Sequence, residues 1–526
     1  MSRVISEIIL FELIMANHSV YREQLITFED PDPVKRPQTE DPPTWETLWA
    51  TPREDSYRVI LIFLSVAFFS TFAAVVLKRY SFLKKITEFF PESTSLMALG
   101  MFVNLFIQII HYFVQFERSS MLEMPPFFIE HVMITPIILH ASFGLYHPHF
   151  FGQFWTIVIY AIVATVLNAI LITTMLYFFN SAVGIPMNIF VCLTYSSLIS
   201  AVDPVAVLSV FEAVNANQQL YFLVFGESVL NDGVTFVMFD AFRAFASFKS
   251  ERIHMIPIKS YLCIAGSFIT KSLGGVLFGY LCGLWLALVT KYTSEMSSSK
   301  IPILNILFAS LGYILSVSFK WSGILSLIAF GLTQERYTFR NISEEAKMKT
   351  KDLIHGFAFV TETFLFFFLG FEFFHHIEFS KVWMEAVCIL VAIYIARIVV
   401  TIFLTSVINH FKIHGARINW RWQVLIIVGG LRGAVAYAMA VHYTGPYKHL
   451  FYDITVITIF FTSVVNGIMA KPLIAILNLK QVETSKLDYK EVYGDKLGLF
   501  SRLYQKLERK FLFKAVLKKH PGRDQS

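Results

Sequence analysis

Between Ile199 and Phe236 the chain reads ISAVDPVAVLSVFEAVNANQQLYFLVFGESVLNDGVTF. Four carboxylates, Asp203, Glu212, Glu227 and Asp232, stand in surroundings apolar enough for a membrane. Held away from water, a carboxylate must be paired, protonated or solvated. Glu227 and Asn231 are four residues apart and share a helix face, while Asp232 is turned about 100° from Asn231. Arg397, in IYIARIVV, is the only basic residue well inside its own apolar run. It needs an acid, and Glu227 is the best candidate; such a pair is structural, and breaking it is costly. Asp232 is then left without a permanent cation. Burial disfavours the ionised form of a lone carboxylate, so such a group exchanges protons readily. If it also faces water, it can trade a proton for a small cation. Carboxylate, amide and carbonyl oxygens suit a hard ion such as Na⁺.

The elements that must position these groups carry their own irregularities. Pro204 follows Asp203 and lacks an N–H, so the helix should break or kink there. A plain proline kink is the simpler reading, but an acid sits at the break. VGGLRGAVAYAMA, from Val428 to Ala440, is a second break, with Gly429, Gly430 and Gly433 around Arg432. Glycines in a membrane helix usually serve close packing; an arginine in the same turn needs more than that. Half-helix ends present oriented dipoles that can coordinate an ion or neutralise a charge. Two interrupted spans, one early and one late, point to a secondary transporter built from inverted repeats.

Composition identifies the solvent. The chain has 526 residues, 55% hydrophobic and 16% charged, with 54 phenylalanines, and a mean hydropathy of +0.58. Soluble proteins carry about 25% charged residues, so a large soluble enzyme is excluded. The net charge of +6 comes from loops beside apolar runs, which does not suggest nucleic acid. Cys192, Cys263, Cys282 and Cys388 lie in apolar segments and read as buried small hydrophobes rather than disulfides or a metal site. The expected fold is an all-α polytopic membrane protein. About thirteen spans are expected from runs of about 20 apolar residues. They lie near 58–77, 93–114, 127–142, 153–179, 187–212, 219–247, 257–290, 301–319, 321–335, 354–374, 381–409, 422–442 and 450–475. The third and ninth are short, and the seventh reads as two segments or one tilted helix.

Lys and Arg set the orientation. Lys78, Arg79, Lys84 and Lys85, then Arg336, Arg340, Lys347, Lys349 and Lys351, then Lys412, Arg417 and Arg421, fall on one side with the basic C-terminal tail. Loops 180–186 and 375–380 carry no positive charge. This predicts an extracellular segment 1–57, a transmembrane domain 58–477 and a short basic cytoplasmic tail 478–526. Residues 4–16 resemble a weak signal or anchor, interrupted by Glu7 and Glu12. Asn17-His18-Ser19 is a glycosylation sequon on the permissive side. In the tail Phe500, Leu503, Tyr504, Leu507 and Phe511 recur at helical spacing among Lys and Arg, as in a helix lying on anionic lipid.

AVDPVAVL, FGESVLND, SGILS, TETFLFFFLG and GGLRGA occur here in the order typical of the eukaryotic sodium/proton exchangers, and FPESTSLMALG resembles that family's second span. The chain resembles the plasma-membrane branch of this monovalent cation:proton antiporter family over roughly residues 58–480. The resemblance implies a homodimer of inverted-repeat subunits, with two broken, crossing helices in a mobile ion-carrying core. It implies electroneutral exchange of extracellular Na⁺ (or Li⁺) for intracellular H⁺, serving intracellular pH, Na⁺ and cell volume, with no cofactor. It places the ion-binding aspartate at Asp232, its partner at Asn231 and the acid of the crossing at Asp203. The buried pair falls on Glu227 and Arg397, a glutamate of the proton response on Glu362, and the glycine-rich break on Gly429, Gly430 and Arg432. It also implies a calcineurin-B-like EF-hand protein bound to the tail at 497–517, beside anionic lipid.

The chain departs from the family at several positions. ITPIILHA carries Thr135 and His140 where the family usually has proline and aspartate, and Gly233 stands where alanine is usual. His140 reads either as a neutral histidine hydrogen-bonded between helices or as a group that titrates on cytosolic acidification and sets the pH response. Its own span has no basic neighbour, and Glu130 is too far along the helix to pair with it. The alternatives to a plasma-membrane Na⁺/H⁺ antiporter are a K⁺ or mixed-cation exchanger of an internal membrane, an intramembrane hydrolase using Asp203 and Asp232, and a transport-dead scaffold.

Overall fold

The computed structural model describes residues 55–79, 92–114, 125–185, 187–203, 208, 211, 217–246, 258–293, 299–373, 379–411, 417–477 and 516. Asn17, the segment 4–16, Pro204, Glu212 and the tail helix at 497–517 apart from Val516 lie outside them. All the regular structure among the described residues is helical, without a strand. In chain order the helices are α1 (Asp55–Arg79), α2 (Glu92–Val114), α3 (Ile134–Gly144), α4 (Phe154–Val183), α5 (Ile189–Ile199), α6 (Gln218–Ala246) and α7 (Ile258–Tyr292). They continue with α8 (Ile301–Ser318), α9 (Gly323–Thr333), α10 (Glu344–Glu372), α11 (Phe379–Phe411), α12 (Trp420–Val428), α13 (Ala434–His442) and α14 (Lys448–Ile476). Among the described residues, eight helices are long and apolar enough to cross a membrane, and three shorter ones are apolar. The 257–290 run is one continuous helix, α7.

Local chemistry marks the helix ends. Asn188 accepts from Phe190 N at the start of α5 (3.0 Å), and Ser322 accepts from Leu325 N at the start of α9 (3.3 Å). Ser343 caps α10, with Glu344 and Glu345 in its first turn facing the positive end of the helix dipole. Gly184 stops α4 in the left-handed conformation, φ +83°. Three π-helical turns, Phe128–Met133, Tyr160–Ala164 and Gln334–Thr338, lie ahead of α3, inside α4 and after α9. Each widens the helix and shifts the face presented afterwards.

Packing divides by neighbour. α5 lies against α4 and α6, α4 against α11, and α11 against α12 and α14. α7, α8 and α9 pack together, as do α1, α2 and α10. Phe68, Trp155, Phe178 and Phe403 are exposed on the outside of the bundle, where a bilayer covers apolar rings that water would not tolerate. Cys192 and Cys282 are buried and Cys388 is partly so, but Cys263 is exposed on α7; its place in an apolar run reflects lipid-facing surface rather than core. Asn341 Nδ2 donates to the carbonyls of Ala287 (2.9 Å) and Val516 (3.0 Å). Val516 therefore meets the bundle beside the basic stretch 336–351.

One ion pair ties three helices together. Arg397 Nη1 of α11 lies 2.6 Å from Glu227 Oε1 of α6, and both residues are almost fully buried. Arg397 Nε and Nη2 also donate to Ile426 O near the end of α12, at 3.2 and 3.0 Å. Removing either partner strands a buried charge at a cost of about 3–5 kcal/mol. Glu227→Gln or Arg397→Ala alone should therefore lower the melting temperature and yield of detergent-purified protein. The double change should cost less than the two single costs added; additive losses would show that the residues do not act as a pair.

Candidate functional site

The site is built where two helices stop short. α5 ends at Ile199 and runs into non-helical backbone at 201–203. α12 ends at Val428, and α13 begins at Ala434 after the break at 429–433. The two breaks touch: Asp203 N donates to Leu431 O at 2.9 Å. Arg432, 2% exposed, reaches back across the crossing and donates from Nη1 to Ala201 O at 3.0 Å. Its own backbone N–H donates to Thr462 Oγ1 of α14 at 3.3 Å. The negative ends of α5 and α12 thus each face a guanidinium, that of Arg432 and that of Arg397 respectively.

Asp203 sits against the positive end of α13. A Cβ on Gly433, the residue before that helix, would overlap the Asp203 carboxylate, so this approach requires glycine. Gly429 and Gly430 make the turn between the half-helices, and Gly430 faces Arg397 Nε. Val202 O, also in the first break, accepts from Ser228 Oγ of α6 at 2.5 Å.

A cavity of about 80 Å³ opens at the crossing, lined by Asp203, Asp232, Glu362, Ser228, Phe366 and Ala434 among others. That is room for a small ion with some of its water. α6, α10 and the first break each bring one carboxylate to it. Among the described residues no lysine, arginine or histidine forms an ion pair with Asp232. Asn231 is not on the cavity wall. Its Nδ2 donates to Thr165 Oγ1 of α4 at 2.6 Å, and its Oδ1 is buried without a hydrogen bond among the described residues. The helix face shared by Glu227 and Asn231 thus turns toward α11 and α4, and Asp232 turns toward the cavity.

His140 stands apart from the cavity. It is exposed, and its Nε2 lies 3.1 Å from His355 Nδ1 of α10, with ring centroids 4.8 Å apart. Its basic neighbour comes from another helix, which its own span could not reveal. His355 precedes Glu362 by about two helical turns, so the histidine pair lies at the end of α10 nearer the basic stretch 336–351. Thr165, Ser228 and Thr462 complete the site and were not singled out from the sequence. Hydroxyls in apolar helices usually bond back to their own helix, so their type carries no signal.

The two glycines at the site should respond differently to a methyl group. At Gly433 the Cβ meets a carboxylate wedged into the crossing; at Gly233 it meets Leu325 Cγ at 2.7 Å, part of a side chain that can change rotamer. Gly433→Ala should destabilise purified protein by about 1–3 kcal/mol, the usual cost of overpacking. Gly233→Ala should shift the melting temperature less. Equal shifts would show that Leu325 is as fixed as the crossing.

Residues 58–476 match the family model described as "Sodium/hydrogen exchanger, transmembrane". Human sodium/hydrogen exchanger 3 is 32% identical over 409 residues, covering 76% of this chain and 47% of the relative. The Na(+)/H(+) exchanger beta of Oncorhynchus mykiss is 30% identical over 433 residues, covering 80% and 54%. The chain spans about half the length of these curated relatives. The fold is similar to that of the sodium proton antiporter MjNhaP1 from Methanocaldococcus jannaschii, with TM-score 0.57 and 18% identity over 80% of this chain and 99% of that one. On the match across its helical domain, the chain belongs to the sodium/hydrogen exchanger family.

Proposed function

We propose that the chain is a secondary antiporter that exchanges extracellular Na⁺ for intracellular H⁺, one for one. The observation that carries this reading is the position of Asp232. It lines the cavity at the crossing with Asp203 and Glu362, while the neighbouring acid of the same helix, Glu227, is held by Arg397. A carboxylate so placed takes a proton or a hard cation, and each excludes the other. Asp203 supplies oxygen from the break, and Asn231 holds α6 in register against α4. Glu362 on α10 is the further acid of the proton response, and His140 of α3 meets the same helix at His355. The relatives' names, sodium/hydrogen exchanger 3 and Na(+)/H(+) exchanger beta, carry the same activity.

The rest of the reading follows from charge and family. The chain crosses the plasma membrane about thirteen times, in line with its apolar runs, and its C-terminus is cytoplasmic by the distribution of Lys and Arg. It works as a homodimer. Its tail at 497–517 binds anionic lipid or a calcineurin-B-like EF-hand protein by laying one helix face into a groove.

Asp232→Asn should abolish Na⁺-dependent pH recovery in acid-loaded cells lacking their own exchangers. Surface delivery should persist, because the amide keeps the shape of the acid. Parent rates at matched surface expression would falsify the assignment. Replacing Na⁺ by K⁺ in the same assay tests the cation: recovery that runs equally well on K⁺ would make this a mixed-cation exchanger. One-for-one exchange moves no net charge, so the field does no net work on the cycle. A steady Na⁺-driven current on a solid-supported membrane would contradict it.

A further inference from the structure

Several buried acids lie outside the ion cavity, and one of them meets a histidine. Glu130, 8% exposed, belongs to the π-helical turn ahead of α3, and His442 Nδ1 at the end of α13 lies 3.0 Å from its Oε2. The pair stands between two spaces. On one side is an open recess of about 500 Å³, lined by Asp240, Arg243, His442 and Thr444. On the other is a constriction of about 10 Å³, lined by Glu130, Ile134, Phe236, Tyr313, Val435 and Met439, close to the least space a single water needs. Val435 also lines the ion cavity.

Two helices run the length of this route. On α13, Val435, Met439 and His442 follow at four and three residues, one helix face leading from cavity to recess. On α6, Phe236 is one turn beyond Asp232. Glu130 is the only charged residue lining the constriction among the described residues. The recess lies at the end of the bundle opposite the basic stretch 336–351, which is the outer end on the reading above.

The other charges at this end are engaged or remote. Arg243 pairs with Asp240 at 3.0 Å, and Lys271 of α7 also holds Asp240. His131, on the same turn as Glu130, stacks on Phe127 and meets the edge of Tyr313 of α8. Glu372 of α10 accepts from Tyr437 Oη at 3.0 Å. α14 begins with Lys448 and His449, both exposed. His442 is the nearest cation to Glu130, with His131 and Arg243 acting on it more weakly, and a histidine is a cation only when protonated. With the ring neutral, the buried carboxylate behind the recess loses its nearest counter-charge and keeps the weaker influence of Arg243.

We propose that Glu130 is a second, outer cation-binding site on the route to Asp232, at which an entering monovalent cation and the protonated His442 ring exclude each other. The inference rests on the antiport reading and deepens it. The site takes Na⁺ or Li⁺ from the recess before the constriction opens, and outer acid closes it by charging His442.

The test uses the full chain in acid-loaded cells lacking their own exchangers. Initial Na⁺-dependent pH recovery is measured against external Na⁺ at a mildly acidic and a mildly alkaline external pH, about 6 and about 8. Glu130→Gln should raise the half-saturating Na⁺ concentration at the higher pH by roughly tenfold, the loss of one charged contact. His442→Gln should lower it at the lower pH, and should change nothing further in the Glu130→Gln background. A parental half-saturation in Glu130→Gln overturns the proposal, as does an equal effect of His442→Gln in both backgrounds. Should Glu130→Gln fail to reach the surface, His442→Lys decides. Its fixed charge should hold half-saturation at the acid-side value at both pH values, and a parental pH response would overturn the site. No Na⁺- or Li⁺-dependent recovery by the parent chain would sink the antiport reading itself, whereas recovery with parental half-saturation in the variants sinks only the outer site.

Discussion

Breaking a helix inside a membrane exposes carbonyl and amide groups that no lipid can satisfy. Two breaks meet in the middle of this bundle, and each answers the other. The Asp203 N–H bonds Leu431 O across the gap. Arg432 crosses from the second break to the carbonyl end of the first. Arg397 comes from a third helix to the carbonyl end of α12. The acid Asp203 lies against the positive start of α13, where Gly433 leaves room for it. Each unsatisfied end has a partner of the opposite sign, so the interruption is stable enough to keep a polar cavity beside it.

That arrangement determines how α6 is used. Its acids Glu227 and Asp232 are five residues apart and belong to different surroundings. Glu227 completes the coordination of Arg397 and so supports the end of α12. Asp232 faces the cavity with Asp203 and Glu362. Asn231, adjacent to it, anchors α6 to Thr165, the first residue after the π-helical turn in α4. A regular helix there would rotate Thr165 away by about one residue's worth of turn. The irregular turn in α4 and the plain helix α6 are therefore fitted to each other.

Much of this could be read from the sequence because it is expensive chemistry in an apolar setting. An arginine in IYIARIVV demands an acid, and few acids were near enough in type and depth. A glycine cluster around Arg432 advertises a break. Other parts left no trace. The guanidinium of Arg432 donates to a backbone carbonyl, that of Ala201, and every residue owns one. The π-helical turns do not disturb hydrophobic periodicity enough to be seen over five or six residues. Glu130 and His442 are more than three hundred positions apart, and neither sits in a motif, so only the fold brings them together. His140 was visible as an oddity, but its neighbour His355 belongs to a helix read for Glu362. Cys263 was assigned to the core because apolar runs look alike whether they face protein or lipid.

The charges around the crossing have a sum as well as positions. Two guanidinium groups, Arg397 and Arg432, stand among the carboxylates Glu227, Asp203, Asp232 and Glu362. With all of them ionised the group carries an excess of negative charge, and each bound proton or Na⁺ reduces it by one. An unloaded core sliding through low-dielectric surroundings would carry that charge with its full self-energy, while a loaded core carries less. On the antiport reading, the empty carrier is the form that stays where it is. Coupling then requires no separate lock: slippage is suppressed because an idle return stroke costs more than a laden one.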